Sequence, residues 1–396
     1  MKITKINITK VAIPLRAKLG MGIDKELTYT SAAILEVETD EGVVGISESP
    51  FDPGRTEFEL SRLASRYIGA DPFDIERLVG YDPFIGELYK TVSAIEIACW
   101  DIIGKKTGLP VYKLLGGRVW ERVPITAFMS FDEPDKIAAA AVEAVKSGIN
   151  TIKLKLGLDA EQDVAIVKTV REAIGYGPKI RIDPNQAWSV PTAISLMKRM
   201  EKYDLQYVEQ PIPKWDHDGL LKLSQKTGIP ICICEGLTSL PELMRLIKAR
   251  AIDFISTDPI RMGGLLGFKK VCGIAEAEGI PIIAHVTTFG ISVATWLHAV
   301  ISSNPTMYAH DIMYPGLNHG VWAPVGDIIS EKFQDDQGFL DVPQGPGLGV
   351  SIDRAALDKW AGQYQNILGP ESTNDRLIER FGKENAPTTY FMPPRY

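Results

Sequence analysis

The hydrophobic rhythm of the chain changes once, near Pro124. Before it, Leu35-Glu36-Val37-Glu38 alternates apolar and polar positions, Asp40-Glu41-Gly42 supplies a turn, and Val43 to Ser47 returns. That is the pattern of a β-hairpin. Met1-Lys2-Ile3-Thr4-Lys5-Ile6 alternates in the same way and reads as a strand. From Thr91 to Lys106 the period lengthens, with Ile95, Cys99, Ile102 and Ile103 on one helical face and Gly108 and Pro110 as stop signals. Strands grouped before helices predict a small α+β unit.

Beyond Pro124, eight short apolar runs alternate with amphipathic helical patterns. The runs are Ile125–Met129, Thr151–Leu156, Lys179–Asp183, Gln206–Glu209, Pro230–Glu235, Asp253–Asp258, Ile280–His285 and Met307–Ile312. Strand–helix alternation implies parallel strands joined by right-handed crossovers. A doubly wound open sheet would fit the alternation, but eight near-equal units favour closure into a TIM-type (β/α)7-8 barrel. The expected organisation is an α+β capping domain with specificity loops over 1–122 and a catalytic barrel over 123–350. Residues 351–396 are expected to pack on the cap or at an interface.

A charged or titratable residue closes the runs from the second onward: Lys153 and Lys155, then Asp183, Glu209, Glu235, Asp258, His285 and, within the last run, Asp311. From Lys155 the separations are 28, 26, 26, 23, 27 and 26 residues, about one βα unit each. A single strand-end Asp is usually a helix cap or a surface ion-pair partner. Seven consecutive units at constant phase exceed what capping requires, and Glu209, Glu235 and His285 are poor caps. Lys153 and Lys155, two apart on one strand, project to the same side.

Composition narrows the chemistry. The 396 residues carry 43 Lys+Arg against 50 Asp+Glu, a net charge of −7, with 45% hydrophobic and 23% charged positions. This is a globular composition without a basic face, which argues against nucleic-acid and anionic-membrane partners. Cys99, Cys232, Cys234 and Cys272 form no disulfide or zinc pattern, and the Ile231-Cys232-Ile233-Cys234 run reads as buried filler. The stretch from Ile280 to Ile301 is interrupted by His285, Thr287, Thr288 and Gly290, so it is not a membrane span. A cytoplasmic protein acting on a small molecule, and a homo-oligomer, is expected.

Asp183, Glu209 and Glu235 end neighbouring strands. Three converging carboxylates need a counter-charge, and hard oxygen ligands without Cys or His suit Mg²⁺. The alternative is a cluster neutralised by Lys or Arg. The paired ammonium groups of Lys153 and Lys155 should depress one another's pKa toward that of a general base. On the other flank Asp258 should fix the tautomer of His285 and support its protonated form. His298, within an apolar helix, reads as structural. A cation between two bases suits removal of a proton from a carbon beside a carboxylate, with the cation stabilising the enediolate.

These residues, in Lys153-Leu154-Lys155, Ile182-Asp183-Pro184-Asn185-Gln186, Val208-Glu209-Gln210-Pro211, Glu235-Gly236, Asp258 with Gly263-Gly264, and His285, resemble the enolase superfamily, in its mandelate racemase subgroup. Ser93 to Asp101 resembles the family's capping helix. The resemblance implies Asp183, Glu209 and Glu235 as Mg²⁺ ligands, Lys155 as one base tuned by Lys153, and His285 with Asp258 as the opposing acid/base. Lys153 and Asp311 would contact the substrate carboxylate, Asp311 standing where racemases have a glutamate, as in glucarate-dehydratase-like members. Asn185 would contact substrate. The expected reaction is dehydration of an aldonic or aldaric acid to a 2-keto-3-deoxy acid. Racemisation or epimerisation, lactone cycloisomerisation and a catalytically silent binding barrel are the alternatives. Leu15–Tyr29, with Arg16, Lys18 and Lys25, reads as a lid hinged at Gly20 and Gly22, and Arg55 as a contact for a distal carboxylate.

Overall fold

A computed structural model describes residues 1–21, 25–50, 53–79, 89–286, 288–315, 317 and 323–368. The tip of the expected lid, at Gly22, and the tail beyond residue 368 lie outside them. Three antiparallel strands, β1 (Ile3–Met21), β2 (Lys25–Thr39) and β3 (Val44–Pro50), form a sheet in that order. The β2–β3 turn is the one expected at Asp40-Glu41-Gly42, with Gly42 at φ +76°. Helices α1 (Pro53–Tyr67), α2 (Ile75–Val79), α3 (Tyr89–Thr107) and α4 (Val111–Leu114) follow.

The barrel runs β4 (Val123–Met129), α5 (Pro134–Lys146), β5 (Thr151–Lys155), α6 (Ala160–Ile174), β6 (Lys179–Asp183) and α7 (Val190–Met200). It continues through β7 (Leu205–Glu209), α8 (His217–Lys226), β8 (Ile231–Ile233), α9 (Leu240–Ala249), β9 (Phe254–Thr257) and α10 (Leu265–Glu278). It ends with β10 (Ile282–Val286), α11 (Gly290–Ile301) and β11 (His310–Ile312), which pairs back onto β4 and closes eight parallel strands. A short β12 (Phe339–Leu340) pairs antiparallel with β4. Helices α12 (Arg354–Gly362) and α13 (Tyr364–Leu368) pack on β1, and Arg354 ion-pairs with Glu36 of β2.

Most strand ends fall within two residues of the expected runs, and two of the differences bear on the site. The last run was expected to start at Met307, but β11 starts at His310. The Ala284 N–H donates to His310 Nδ1 (2.9 Å), and Ala309 O accepts from buried Arg181 (2.7 Å), so side chains replace backbone pairing there. Strand β8 ends at Ile233, which leaves Glu235 two residues beyond it in the loop.

Helix α3 is buried on nearly every side because it is sandwiched between the cap sheet and the barrel. Its approach to β3 is backbone to backbone: a Cβ on Gly45 would stand 2.1 Å from Ala98 O. Buried Asp101 accepts from Ile46 N (2.9 Å) in the cap and from Leu348 N (2.8 Å) after the barrel. The apolar stretch from Ile280 becomes β10 and the wholly buried α11, and no helix among the described residues is long and apolar enough to cross a membrane.

Candidate active site

The parallel ladder puts the expected residues in phase. Lys155 pairs in register with Asp183, Lys153 with Arg181, Arg181 with Tyr207, and His285 with Asp311. Side chains two apart on each strand therefore share the interior of the barrel near its C-terminal end, where TIM-type barrels place their chemistry.

The lysine half of the site is a closed ion-pair network. Lys153 Nζ donates to Asp311 Oδ2 (2.7 Å) and Glu209 Oε2 (2.8 Å) and lies 3.4 Å from Asp183 Oδ2. Lys155 Nζ donates to Asp183 Oδ2 at 2.6 Å. The ring of Phe128 lies beneath both ammonium groups, its centroid 5.9 and 5.6 Å away. Burial pulls Lys153 down, but Asp311, Glu209 and Asp183 together lift it well above the usual lysine value. The expected mutual depression of the two lysines is thus overturned at Lys153, because three carboxylates outweigh one neighbouring ammonium. Burial also raises Asp183, yet Lys155 and Lys153 outweigh it and hold that carboxyl below its ordinary range. Glu209 is pushed up to about 7, chiefly by burial, with Lys153 opposing.

Asn185 joins two of the expected ligands. Its backbone N–H donates to Asp183 Oδ1 (2.9 Å) and its Nδ2 to Glu235 Oε1 (2.8 Å). Its φ of +51° is one that Asn tolerates better than most residues. Glu235 Oε2 is buried with no hydrogen-bond partner. Among the described residues no three carboxylate, imidazole or thiol groups converge tightly enough to ligate one ion. Lys153 and Lys155 stand among Asp183, Glu209 and Asp311 as their counter-charge. The donor set still fits a hard cation: Glu235 Oε2 is buried with no hydrogen-bond partner, and Glu209 is held up at about 7 by burial despite its bond to Lys153.

The opposite half is open. A cavity is lined by Pro50 and Lys90 from the cap and by Asp258, Arg261, His285 and Thr288 from the barrel, among others. His285 keeps 18% of its side chain exposed to it. His285 Nε2 stands 3.8 Å from Asp258 Oδ2, beyond hydrogen-bonding distance, and its Nδ1 is buried without a partner. Asp258 instead accepts from Arg261 N at 2.9 Å, and Arg261 Nη1 donates to Cys234 Sγ at 3.2 Å. Burial, then the cations of Arg261, Lys153 and Lys155, holds His285 well below the usual imidazole pKa. The expectation that Asp258 fixes the tautomer and supports imidazolium is therefore not met in this geometry. The ring is neutral because desolvation and three positive charges prevail over one carboxylate.

Arg16 and Arg55 are not brought to the cavity lining. The Arg16 side chain is exposed, and Arg55 Nε donates to Glu59 within α1 at 2.6 Å. His298 is structural as expected, accepting from Tyr112 N through Nδ1 and bonding Leu348 O through Nε2. Cys232 and Cys234 are buried, and burial raises both thiols well above their usual range.

The sequence assigns no role to Arg181, Arg261 or Gln210, the last quoted only as part of a motif. Arg181 is fully buried inside the barrel, donating to Gln206 Oε1 (2.6 Å) and lying 3.6 Å from Asp311 Oδ1. Its i, i+2 spacing to Asp183 is the signal already used for Lys153 and Lys155. Gln210 Oε1 accepts from Cys234 N (3.2 Å) and Gly236 N (2.9 Å), bracing the backbone on both sides of Glu235.

Residues 3–116 match the family model of the mandelate racemase / muconate lactonizing enzyme N-terminal domain, and 136–356 match that of the enolase C-terminal domain-like family. The hydrophobic dipeptide epimerase of Enterococcus faecalis is 32% identical over 364 residues, spanning 89% of this chain and 100% of that protein. The L-talarate/galactarate dehydratase of Salmonella typhimurium is 29% identical over 359 residues, spanning 87% and 86%. The crystal structure of the Enterococcus faecalis dipeptide epimerase complexed with Mg and L-Leu-L-Tyr superposes with a TM-score of 0.80 at 27% identity, covering 89% of this chain and 100% of that one.

Proposed function

The chain belongs to the mandelate racemase / muconate lactonizing enzyme family of the enolase superfamily, and from that premise we propose that it removes the proton α to a substrate carboxylate and then expels a β-hydroxyl. The product of an aldonic or aldaric acid is then a 2-keto-3-deoxy acid. The observation that carries this reading is the pairing of a lysine network on β5 with a neutral, cavity-facing His285 on β10.

Asp183, Glu209 and Glu235 would hold Mg²⁺, which supplies positive charge to the substrate carboxylate as its α-carbon is deprotonated. Lys153 donates to the same carboxylate oxygens and offsets the charge that develops. His285, neutral by burial and by the cations around it, takes the α-proton. Once protonated it is the acid beside the leaving group: the C–O bond breaks, the hydroxyl departs with that proton as water, and the enol ketonises. Lys155 addresses the opposite face of the same carbon. Asp258, 3.8 Å from Nε2 and unbonded while the ring is neutral, offers its carboxylate to the imidazolium once it forms, and Asp311 and Asn185 orient the substrate.

A second reading, 1,1-proton transfer in an epimerase, is favoured by the identity to the dipeptide epimerase. Two bases on opposite faces suffice for it, with no leaving group. A panel of aldonic and aldaric acids, 2-hydroxy acids, dipeptides and N-succinyl amino acids in D₂O with Mg²⁺ separates the two. Keto-acid formation supports dehydration, inversion with α-deuterium supports epimerisation, and no exchange with any of them sinks both.

A further inference from the structure

The helices that follow the expected metal-ligating strands and their immediate neighbour cap themselves. Asp159 accepts from Glu161 N and Gln162 N at α6, Ser189 from Thr192 N at α7, Asp216 from Gly219 N at α8, and Ser239 from Glu242 N at α9. The two helices that follow Asp258 and His285 have no such residue. At α10 the position before the helix is Gly264, and at α11 it is Phe289, neither with a side-chain cap.

Both helix ends are met by glutamates from the capping domain, and at α11 Asp327, from the segment after β11, also accepts from Gly290 N (3.0 Å). Glu96 on α3 accepts from Leu265 N (2.8 Å) through Oε2 and from Leu266 N (2.9 Å) through Oε1. Glu48 on β3 accepts from Phe289 N (2.9 Å) and Ser292 N (3.0 Å), one with each oxygen. Both carboxylates are buried, 1% exposed each. The fit is tight: a Cβ on Gly264, at φ +104°, would stand 2.1 Å from Glu96 Oε2. Ser93 of α3 adds a donor to Ile260 O (2.7 Å), inside the loop between Asp258 and Gly264.

These bonds fix the backbone on the far side of each expected catalytic group. His285 is four residues before Phe289, and the loop between contains Thr288, which lines the cavity. Asp258 is seven residues before Leu265. The lysine and ligand side of the barrel is braced from within the barrel, whereas the Asp258 and His285 side takes two bonds at each helix end from the cap, with Asp327 adding one at α11. We propose that Glu48 and Glu96 are positioning residues that seat Asp258 and His285, so that this pair takes its working geometry only when the cap is docked. The inference rests on the role given to that pair above. It accounts for the choice of buried carboxylates, because one bidentate anion satisfies two helix N–H groups and the positive end of the dipole together.

The test is the ¹⁵N-histidine spectrum of the full chain, with the His285 signals assigned through His285→Asn. Glu48→Gln and Glu96→Gln are each expected to move the His285 ring-nitrogen resonances while those of His217 and His310 stay. Arg354→Ala, which breaks a different tie to the cap, is expected to leave His285 unmoved. With a substrate from the panel above, kcat in the two glutamate variants is expected to fall about 10- to 100-fold, the cost of a small misplacement of a reacting group. A lowered melting temperature with an unmoved His285 overturns the proposal and leaves the glutamates as interface contacts. Should Glu48→Gln not fold, Glu96→Gln and Glu48→Asp, which keeps the charge on a shorter arm, read the same coupling. An unmoved His285 in whichever of these folds is equally decisive. If no substrate turns over, the spectrum still decides this inference, and the reaction assigned above is what fails.

Discussion

Lys153 on β5 and Glu209 on β7 form a buried ion pair of 2.8 Å that spans the intervening strand β6. Lys153 thus supplies counter-charge to two of the three carboxylates that would hold Mg²⁺. Mg²⁺ held by Asp183, Glu209 and Glu235 would bind only the folded barrel, the state that brings these residues together. Mg²⁺ is expected to raise the melting temperature, with a stabilisation of about 2.7 kcal/mol at 100 times its Kd. Scanning calorimetry with Mg²⁺ or a chelator measures it. Glu209→Gln and Glu235→Gln should each remove most of the Mg²⁺-dependent part, and a shift that survives both variants rejects the ligand assignment.

Lys153 carries the charge balance of three buried carboxylates, Asp311, Glu209 and Asp183. Lys153→Met preserves volume and leaves them uncompensated, at a cost of about 3–5 kcal/mol without metal. Urea denaturation measures this, and added Mg²⁺ should recover part of it. Replacement without loss of stability would show that the network is neutral in the fold.

The barrel was legible in the sequence because its βα units repeat the same polar terminus, and because buried parallel strands leave few polar positions for other reasons. Lys153, Lys155, Asp183 and Glu209 fall where the period of two and the unit length place them. What escaped was set by partners remote in sequence. Glu96 meets Leu265 across 169 residues and Glu48 meets Phe289 across 241, and nothing near either glutamate marks it as a helix cap. The electrostatic state of Lys153 and His285 was misread because one neighbour was weighed where three or four act. Arg16 and Arg55 were placed by charge alone, and the local i, i+4 pairing of Arg55 with Glu59 took precedence.

Buried His298 and His310 predict how stability varies with pH. Burial depresses His298 to about 4 and His310 to about 3, both below the unfolded value. Between those values and about 6.5 the unfolded chain binds more protons, so their contribution is complete above about 6.5 and is lost as pH falls. Glu48 and Glu96, raised to about 7 chiefly by burial, act in the opposite sense: the folded chain binds more protons, and stability declines as pH rises from about 4.5 to 7. The terms partly cancel in the native protein, so a variant is needed to separate them. His298→Asn can still accept and donate a hydrogen bond but does not titrate. Relative to the native protein it should be a few kcal/mol less disadvantaged at pH 4.5 than at pH 7.5 in urea denaturation. An identical difference at both values would mean that His298 is not held neutral.

Lys155 and His285 make separable predictions because they stand on different halves of the site, one inside an ion-pair network and one facing the cavity. General acid–base groups of this kind contribute about 10²- to 10⁴-fold. If His285 both takes the α-proton and protonates the leaving hydroxyl, His285→Asn loses dehydration by that factor. Lys155 should then still exchange the α-hydrogen of a substrate of the opposite configuration with D₂O. Lys155→Ala should do the reverse, sparing exchange on the His285 face. In an epimerase both variants lose inversion, yet each keeps exchange from one configuration only. Proton NMR of the α-position, with each enantiomer or epimer supplied separately, reads all four combinations. Loss of exchange from both configurations in either single variant would mean that one group serves both faces, and the two-base arrangement would have to be abandoned.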